Sequence, residues 1–417
     1  MQIYAELLTI GDELLYGQTL DTNTHWMSGQ LDQLGIKVIR KTTVGDVREE
    51  MLQAFKEAEE RAHITLITGG LGPTNDDLTK PLLAEFFDSE MAMHPEAQEE
   101  VSRYFKSRGR EVTGLNLLQA ELPIKCTKIS NHNGTAPGMW FERNGRVFVS
   151  MPGVPHEMRL MMQETVLPKL QQKFALPVIV HRMIKTAGIG ESFLAEIIKT
   201  WEDQLPAHIK LAYLPSPAQV KLRLTATGED KTLLTTAIDA EVEKLLPLAH
   251  PYVFGFDEDT LESIIGKLLM EKDLTLATAE SCTGGNIAHL ITSVPGASAY
   301  YQGSIVAYQN EVKVRMLNVN QATLDAHGAV SEQTIIEMAE GVRKTLNTDI
   351  GIATSGIAGP SGGTEEKPVG TVWIALSDGE QTITKKYLMG KNRDWNIKLS
   401  SFSALNLLQR YLNGTWK

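Results

Sequence analysis

Residues 280–285 read Glu-Ser-Cys-Thr-Gly-Gly, so three side chains in a row could act as nucleophiles: Ser281, Cys282 and Thr283. They follow the β-leaning run LTLATA and precede the helix-like NIAHLITSV. A strand-to-helix turn exposes a nucleophile beside backbone N–H groups that can steady an oxyanion, so acyl transfer is the chemistry to expect. Each nucleophile needs a base. Cysteine normally takes a histidine. This part of the chain offers His289, inside the following helix pattern, and His327, in the turn-like DAHGAV. Cys282 therefore reads as a small buried residue. Serine can use a lysine whose amine is partly desolvated. SIVAYQNEVKVRML places Tyr308, Asn310 and Lys313 just after a strand. By spacing alone, Lys313 reads as an ordinary solvated helix lysine.

Glycine loops are the second chemical signal. TSGIAGPSGGTEEKPVGT (354–371) sets Gly356, Gly359, Gly362 and Gly363 among Thr354, Ser355 and Ser361. Such a polar nest could hold phosphate or ribose, or simply be a long surface loop. Arg393 opens the last helix, where it could neutralise a phosphate or stand in solvent. Near the N-terminus, ITGGLGPTNDDLTK joins a strand to a helix through Gly70 and Gly72. This is the general geometry for holding phosphate. It is neither a P-loop nor a dinucleotide fingerprint, because no Gly-Lys-Ser/Thr follows and Asn75 stands where the third glycine belongs. Asp76 and Asp77 would repel a phosphate unless a divalent cation lay between. Taken alone, these residues favour a helix cap from Asn75 or Thr74, with the aspartates at the positive helix end. Gly11-Asp12-Glu13, NHNGTAPGM (131–139) and MPGVPHEM (151–158) are further strand-end loops. Four such loops in one unit point to a crevice at the sheet's C-terminal edge.

Alternating strand and helix signals must position these groups. Residues 1–170 and 256–417 each alternate in this way, implying parallel, helix-covered sheets. Residues 171–255 differ: VIVHRMIKTAG and VKLRLTATG are β-like runs around one helix signal, GESFLAEIIKTWEDQL. That segment reads as a small α+β module. The last helix is expected over RDWNIKLSSFSALNLLQRYL.

A chain of 417 residues exceeds one compact core. Its net charge of −11 counts against direct nucleic-acid binding. Two cysteines do not make a disulfide framework. The opening MQIYAELLTIGDE has no basic segment followed by an apolar one, and no apolar run could span a bilayer. The expectation is a cytoplasmic, reduced protein without membrane association.

TAESCTGG, AYQNEVK, HGAVSE and SGIAGPSGG with KPVGTVW resemble the C-terminal domain of the CinA competence/damage-inducible family. GDELLYGQTLDTN, TGGLGPTNDDLT, NGTAPGM and MPGVPHEM resemble that family's N-terminal, molybdopterin-binding-like domain. The resemblance covers essentially the whole chain. It implies two α/β domains with parallel-rich, helix-covered sheets joined by a small α+β, KH-like domain. It implies that the C-terminal domain is similar to nicotinamide mononucleotide deamidases. Carried over, Ser281 is the nucleophile and Lys313 its base, with Tyr308, Thr354 and Ser355 near the reacting centre. Thr283, Gly284, Gly285, Asn310, Gly356, Gly359 and Arg393 would contact substrate, and the Cys282–Gly285 turn would supply oxyanion donors. No cofactor is implied for this half. For the N-terminal half the resemblance implies metal-dependent hydrolysis of ADP-ribose with Mg, Mn or Co. Asp12, Asp76 and Asp77 would be metal or base candidates, with Gly70, Gly72 and Thr74 at the phosphates. A non-catalytic nucleotide- or pterin-binding module is the alternative there, and an accessory role in DNA uptake is a third reading. The implied partners are small nucleotides and a second copy in a homodimer. One departure stands out: the family's second arginine in the last helix is replaced by Ile397, with Lys398 beside it.

Overall fold

The computed structural model describes residues 2–74 and 77–416. The chain forms two compact units, Met1–Val180 with Thr227–Leu234, and His181–Ala226 with Thr235–Lys417. The first is built on a six-stranded sheet running Lys37–Val44, Tyr4–Ile10, Ile64–Thr68, Arg146–Met151, Gly138–Arg143, Thr127–Ile129 from edge to edge. The first four strands are parallel and the last two turn antiparallel. Side chains alternate across a strand. Leu8, Ile10 and Ile67 face Met51, Phe55 and Leu83 on one side, while Leu7, Ile64 and Leu66 face Met27, Leu31 and Met158 on the other. Helix cover on both faces explains why all of ITLIT (64–68) is buried. The helix after the first glycine loop spans Thr79–Phe86, later than the sequence suggests. Pro81 therefore sits in its first turn, where a missing N–H costs little. Asn75 and Asp76 lie outside the described residues.

The middle segment carries a four-stranded sheet in the order Ile209–Ser216, Gln219–Gly228, Val178–Ala187, Val253–Phe256. The helices Glu191–Glu202 and Lys231–Ala249 accompany it. Sequence reading found only two of these strands and one of these helices.

The C-terminal sheet runs Tyr301–Val306, Leu276–Glu280, Ile350–Gly356, Thr371–Ser377, Thr382–Leu388. The first three strands are parallel and the last two antiparallel, so this sheet is mixed. The helices Leu261–Glu271, Asn286–Thr292 and Arg393–Leu412 cover one face through Ile265, Ile287 and Leu408. Glu332–Thr345 covers the other through Ile335, Met338 and Val342. Each such buried side chain contributes roughly 1.5–3 kcal/mol. Ala277, Ala279, Ala353 and Ala375 keep that face shallow. At Gly341 a Cβ would stand 2.0 Å from Leu317 O. That close approach seats the helix Asn310–Leu317 against its neighbour and fixes where Lys313 points. The three parallel strands all end at one edge, at Glu280, Val306 and Gly356.

Among the described residues no helix is long and apolar enough to cross a membrane.

Candidate active site

At that edge Ser281, Cys282, Tyr308, Asn310, Lys313, Ala329, Val330, Ser355, Gly356, Ala358 and Arg393 enclose a cavity of about 210 Å³. Lys313 is 1% exposed, so the solvated reading of this lysine is wrong. Its helix turns it inward against the strand ends. The amine lies 3.2 Å from Ser281 Oγ and donates to Ala307 O (2.8 Å) and Tyr308 O (3.2 Å). Burial pulls its pKa down to about 8. A neutral amine has two N–H bonds and one lone pair. The two carbonyls take the N–H bonds, which leaves the lone pair for the Ser281 hydroxyl proton.

Cys282 is buried, and burial pushes its thiol up to about 12, so it is a thiol and not a thiolate nucleophile. Thr283 is spent as well: its hydroxyl lies 2.8 Å from that of Thr354, deep under the turn. Gly285 has φ near 100°, a left-handed conformation natural to glycine, and lets the turn enter the helix Asn286–Thr292. Ser281 N donates to Thr354 O (3.0 Å), tying the turn to the neighbouring strand. Arg393 stands at the rim, donating to Gly359 O (2.8 Å) and to the Tyr308 hydroxyl (3.3 Å).

In the N-terminal unit the four glycine loops meet at a cavity of about 470 Å³, lined among others by Gly11, Glu13, Asp46, Gly70, Gly72, Asp77, Thr135, Gly153 and Glu157. Asp77 accepts from Gly72 N (2.8 Å), Thr74 N (3.0 Å) and Thr74 Oγ1 (2.5 Å). Its carboxylate thus folds its own loop. Asp21 likewise accepts from Thr24 N (2.9 Å), capping the helix Thr22–Gln33. Among the described residues no three His, Cys, Asp or Glu side chains gather as a cation cage. Behind the crevice, Lys80 is buried and donates to Gln119 O (3.0 Å) and Leu118 O (3.4 Å).

Three family descriptions match successive parts of the chain: "probable molybdopterin binding domain" over residues 6–172, "damage-inducible protein CinA KH domain" over 181–255, and "CinA C-terminal domain" over 258–412. A CinA-like protein of Cytophaga hutchinsonii is 50% identical over 410 residues, covering 98% of each chain. The chain belongs to the CinA family. A CinA-like protein of Flavobacterium psychrophilum is 44% identical, covering 97% of this chain and 98% of its own. Among solved structures, competence damage-inducible protein A of Klebsiella pneumoniae is 36% identical over 38% of this chain and 97% of its own, with a TM-score of 0.36.

In this CinA-family chain, seven of the residues singled out from sequence converge on the C-terminal cavity: Ser281, Tyr308, Asn310, Lys313, Ser355, Gly356 and Arg393. Thr283, Gly284, Gly285, Thr354 and Gly359 do not line it. The amides of Gly284 and Gly285 are already bonded, to Ser281 O and to Glu280 Oε2, so neither is a free donor. Ile397 packs into the core, and the exposed Lys398 lines a different cavity, so neither replaces the second arginine here. In the N-terminal crevice Gly70, Gly72 and Asp77 are lining residues, Thr74 is not, and Asp76 lies outside the described residues. Asp12 is displaced from it. Its carboxylate lies against Gly45, and Glu13 and Asp46 face the cavity instead. Sequence reasoning missed Ala329, Val330 and Glu280. HGAVSE carried the signal for the first two, since Ser355 Oγ donates to Ala329 O (2.7 Å).

Proposed function

We propose that the C-terminal cavity hydrolyses the carboxamide of nicotinamide mononucleotide to nicotinic acid mononucleotide and ammonia. The observation that supports this reading is the buried Lys313 amine 3.2 Å from Ser281 Oγ, beside a cavity large enough for a pyridine ring. Ser281 Oγ bonds to the amide carbon as Lys313 takes its proton. The C–N bond then breaks, the nitrogen takes that proton from Lys313, and ammonia leaves an acyl-Ser281 ester. Water attacks the ester, giving its proton to Lys313, and Ser281 departs with that proton restored. Arg393 at the rim suits the substrate phosphate. The test is ammonia release from nicotinamide mononucleotide by the wild-type chain and by Ser281→Ala. Release that survives Ser281→Ala sinks the reading.

For the N-terminal crevice, the family likeness favours metal-dependent hydrolysis of ADP-ribose to AMP and ribose 5-phosphate. Asp77, tied into its own loop, favours the second reading, a nucleotide-binding module without turnover. Incubation with ADP-ribose and Mg²⁺, Mn²⁺ or Co²⁺ separates the two. AMP that disappears on chelation, with ammonia release untouched, supports the hydrolase, and no AMP with any ion supports the binding module.

A further inference from the structure

Glu280 is fully buried, ends the strand Leu276–Glu280 and immediately precedes Ser281. Its Oε2 accepts from Gly285 N and Ile287 N, both at 3.0 Å. Its Oε1 accepts from Ala288 N (2.8 Å) and from Ser304 Oγ (3.4 Å) on the neighbouring strand. A helix N-terminus left open would offer these amides to any anion in reach. Here they are committed before substrate arrives. Gly284 N donates to Ser281 O (3.3 Å), Asn286 N to Thr283 O (3.1 Å) and Ser281 N to Thr354 O (3.0 Å). From Ser281 to Ala288, only the amides of Cys282 and Thr283 make no such bond.

We infer that Glu280 is a positioning residue. By clamping the start of the helix it fixes the turn, so that the Cys282 and Thr283 amides are the ones left uncommitted for the oxyanion formed at Ser281. The inference rests on Ser281 being an acyl-transfer nucleophile but not on which amide is the substrate. The clamp is specific to a carboxylate. Glutamine at this position would point an NH₂ group at backbone N–H groups in either orientation, because both oxygens accept from the backbone. The turn must then shift.

The test uses p-nitrophenyl acetate and its thionoester, whose acyl transfer needs only the nucleophile, its base and the oxyanion donors. Donors set for oxygen disfavour the longer C–S bond, so the full-length wild-type chain should acylate faster with the oxygen ester. In Glu280→Gln the oxygen-ester rate should fall about 100-fold, the scale of losing one oxyanion donor. The oxygen-over-sulfur preference should shrink, and the pH midpoint set by Lys313 should not move. Thr260→Ala, which removes the cap of the helix Leu261–Glu271, should lower the melting temperature without changing either rate. Should Glu280→Gln fail to fold, Ser304→Ala carries the test, with a smaller loss of the same preference. Unchanged rate and preference in the folded variant, or no acylation of the wild-type chain by either ester, overturns the inference. Loss of ammonia release alone, with ester acylation intact, would instead count against nicotinamide mononucleotide as substrate.

Discussion

Lys313 and Lys80 share an environment and differ in what they can do with it. Each is buried, each donates to two successive backbone carbonyls, and burial pulls each down to about 8. Lys313 has a serine hydroxyl as its third neighbour, beside a cavity. Among the described residues Lys80 has none; the charges of Glu121 and Asp77 act on it from nearby and favour its ammonium form. Burial and a lowered pKa thus make a lysine available as a base, and the third neighbour decides whether there is a proton to take. On the proposed reading one is the catalytic base, while the other fastens the Leu118-Gln119 backbone behind the N-terminal crevice.

The comparison breaks most visibly at Ser281. Ser281→Ala should reduce ammonia release by at least about 10³-fold, whereas Cys282→Ala should leave most of it, measured as initial rates on nicotinamide mononucleotide. The opposite pattern would remove the reason for distinguishing the two lysines. Lys313→Met should cost about 10²–10³-fold in kcat, while Lys80→Met leaves kcat within about two-fold. The wild-type kcat should rise with pH through about 8 and then level, because only the neutral Lys313 amine can accept the serine proton. A profile that falls there would mean that the ammonium is the working form. Arg393→Ala should raise KM about ten-fold with a smaller change in kcat. Smallest of all, Lys80→Met should destabilise the folded chain by about 1–3 kcal/mol in urea titrations, since two buried carbonyls lose their donor. The sign of the pH effect on stability is common to both lysines. Each binds its proton more tightly when unfolded, so stability should rise with pH between about 8 and the ordinary lysine value.

The nucleophile turn and the last helix could be read from the chain because their signals are local. LTLATA, the paired glycines and the helix pattern lie within a few residues of Ser281, and Arg393–Leu412 is helical over the expected span. Lys313 could not be read this way. Its burial depends on Gly341 letting one helix approach another and on strand ends remote in sequence. Glu280 could not be singled out because three of its partners are backbone amides, which have no side-chain signature. The strand Thr382–Leu388 was missed because TITKKYL has weak alternation, and its pairing with Thr371–Ser377 makes it a strand. The helix Lys231–Ala249 was hidden by Pro247 near its end. Asp12 and Glu13 show the limit of motif reading: adjacent carboxylates are equivalent in sequence, and only loop geometry decides which of them faces the crevice.

The tie between Ser281 N and Thr354 O, the hydroxyl pair joining Thr283 to Thr354 across 71 residues, and the Lys313–Ser281 contact across 32 residues bear on how this protein is made. None of these contacts exists in a chain that has formed its helices but not closed its sheet. Long-range closures of this kind come late and slowly. On refolding from urea, esterase or amidase activity should therefore return after helical signal has recovered. A ribosome-bound chain lacking Ile350–Gly356 would carry Ser281 and Lys313 without an assembled site, so the nucleophile proposed here would lie dormant until synthesis has passed that strand.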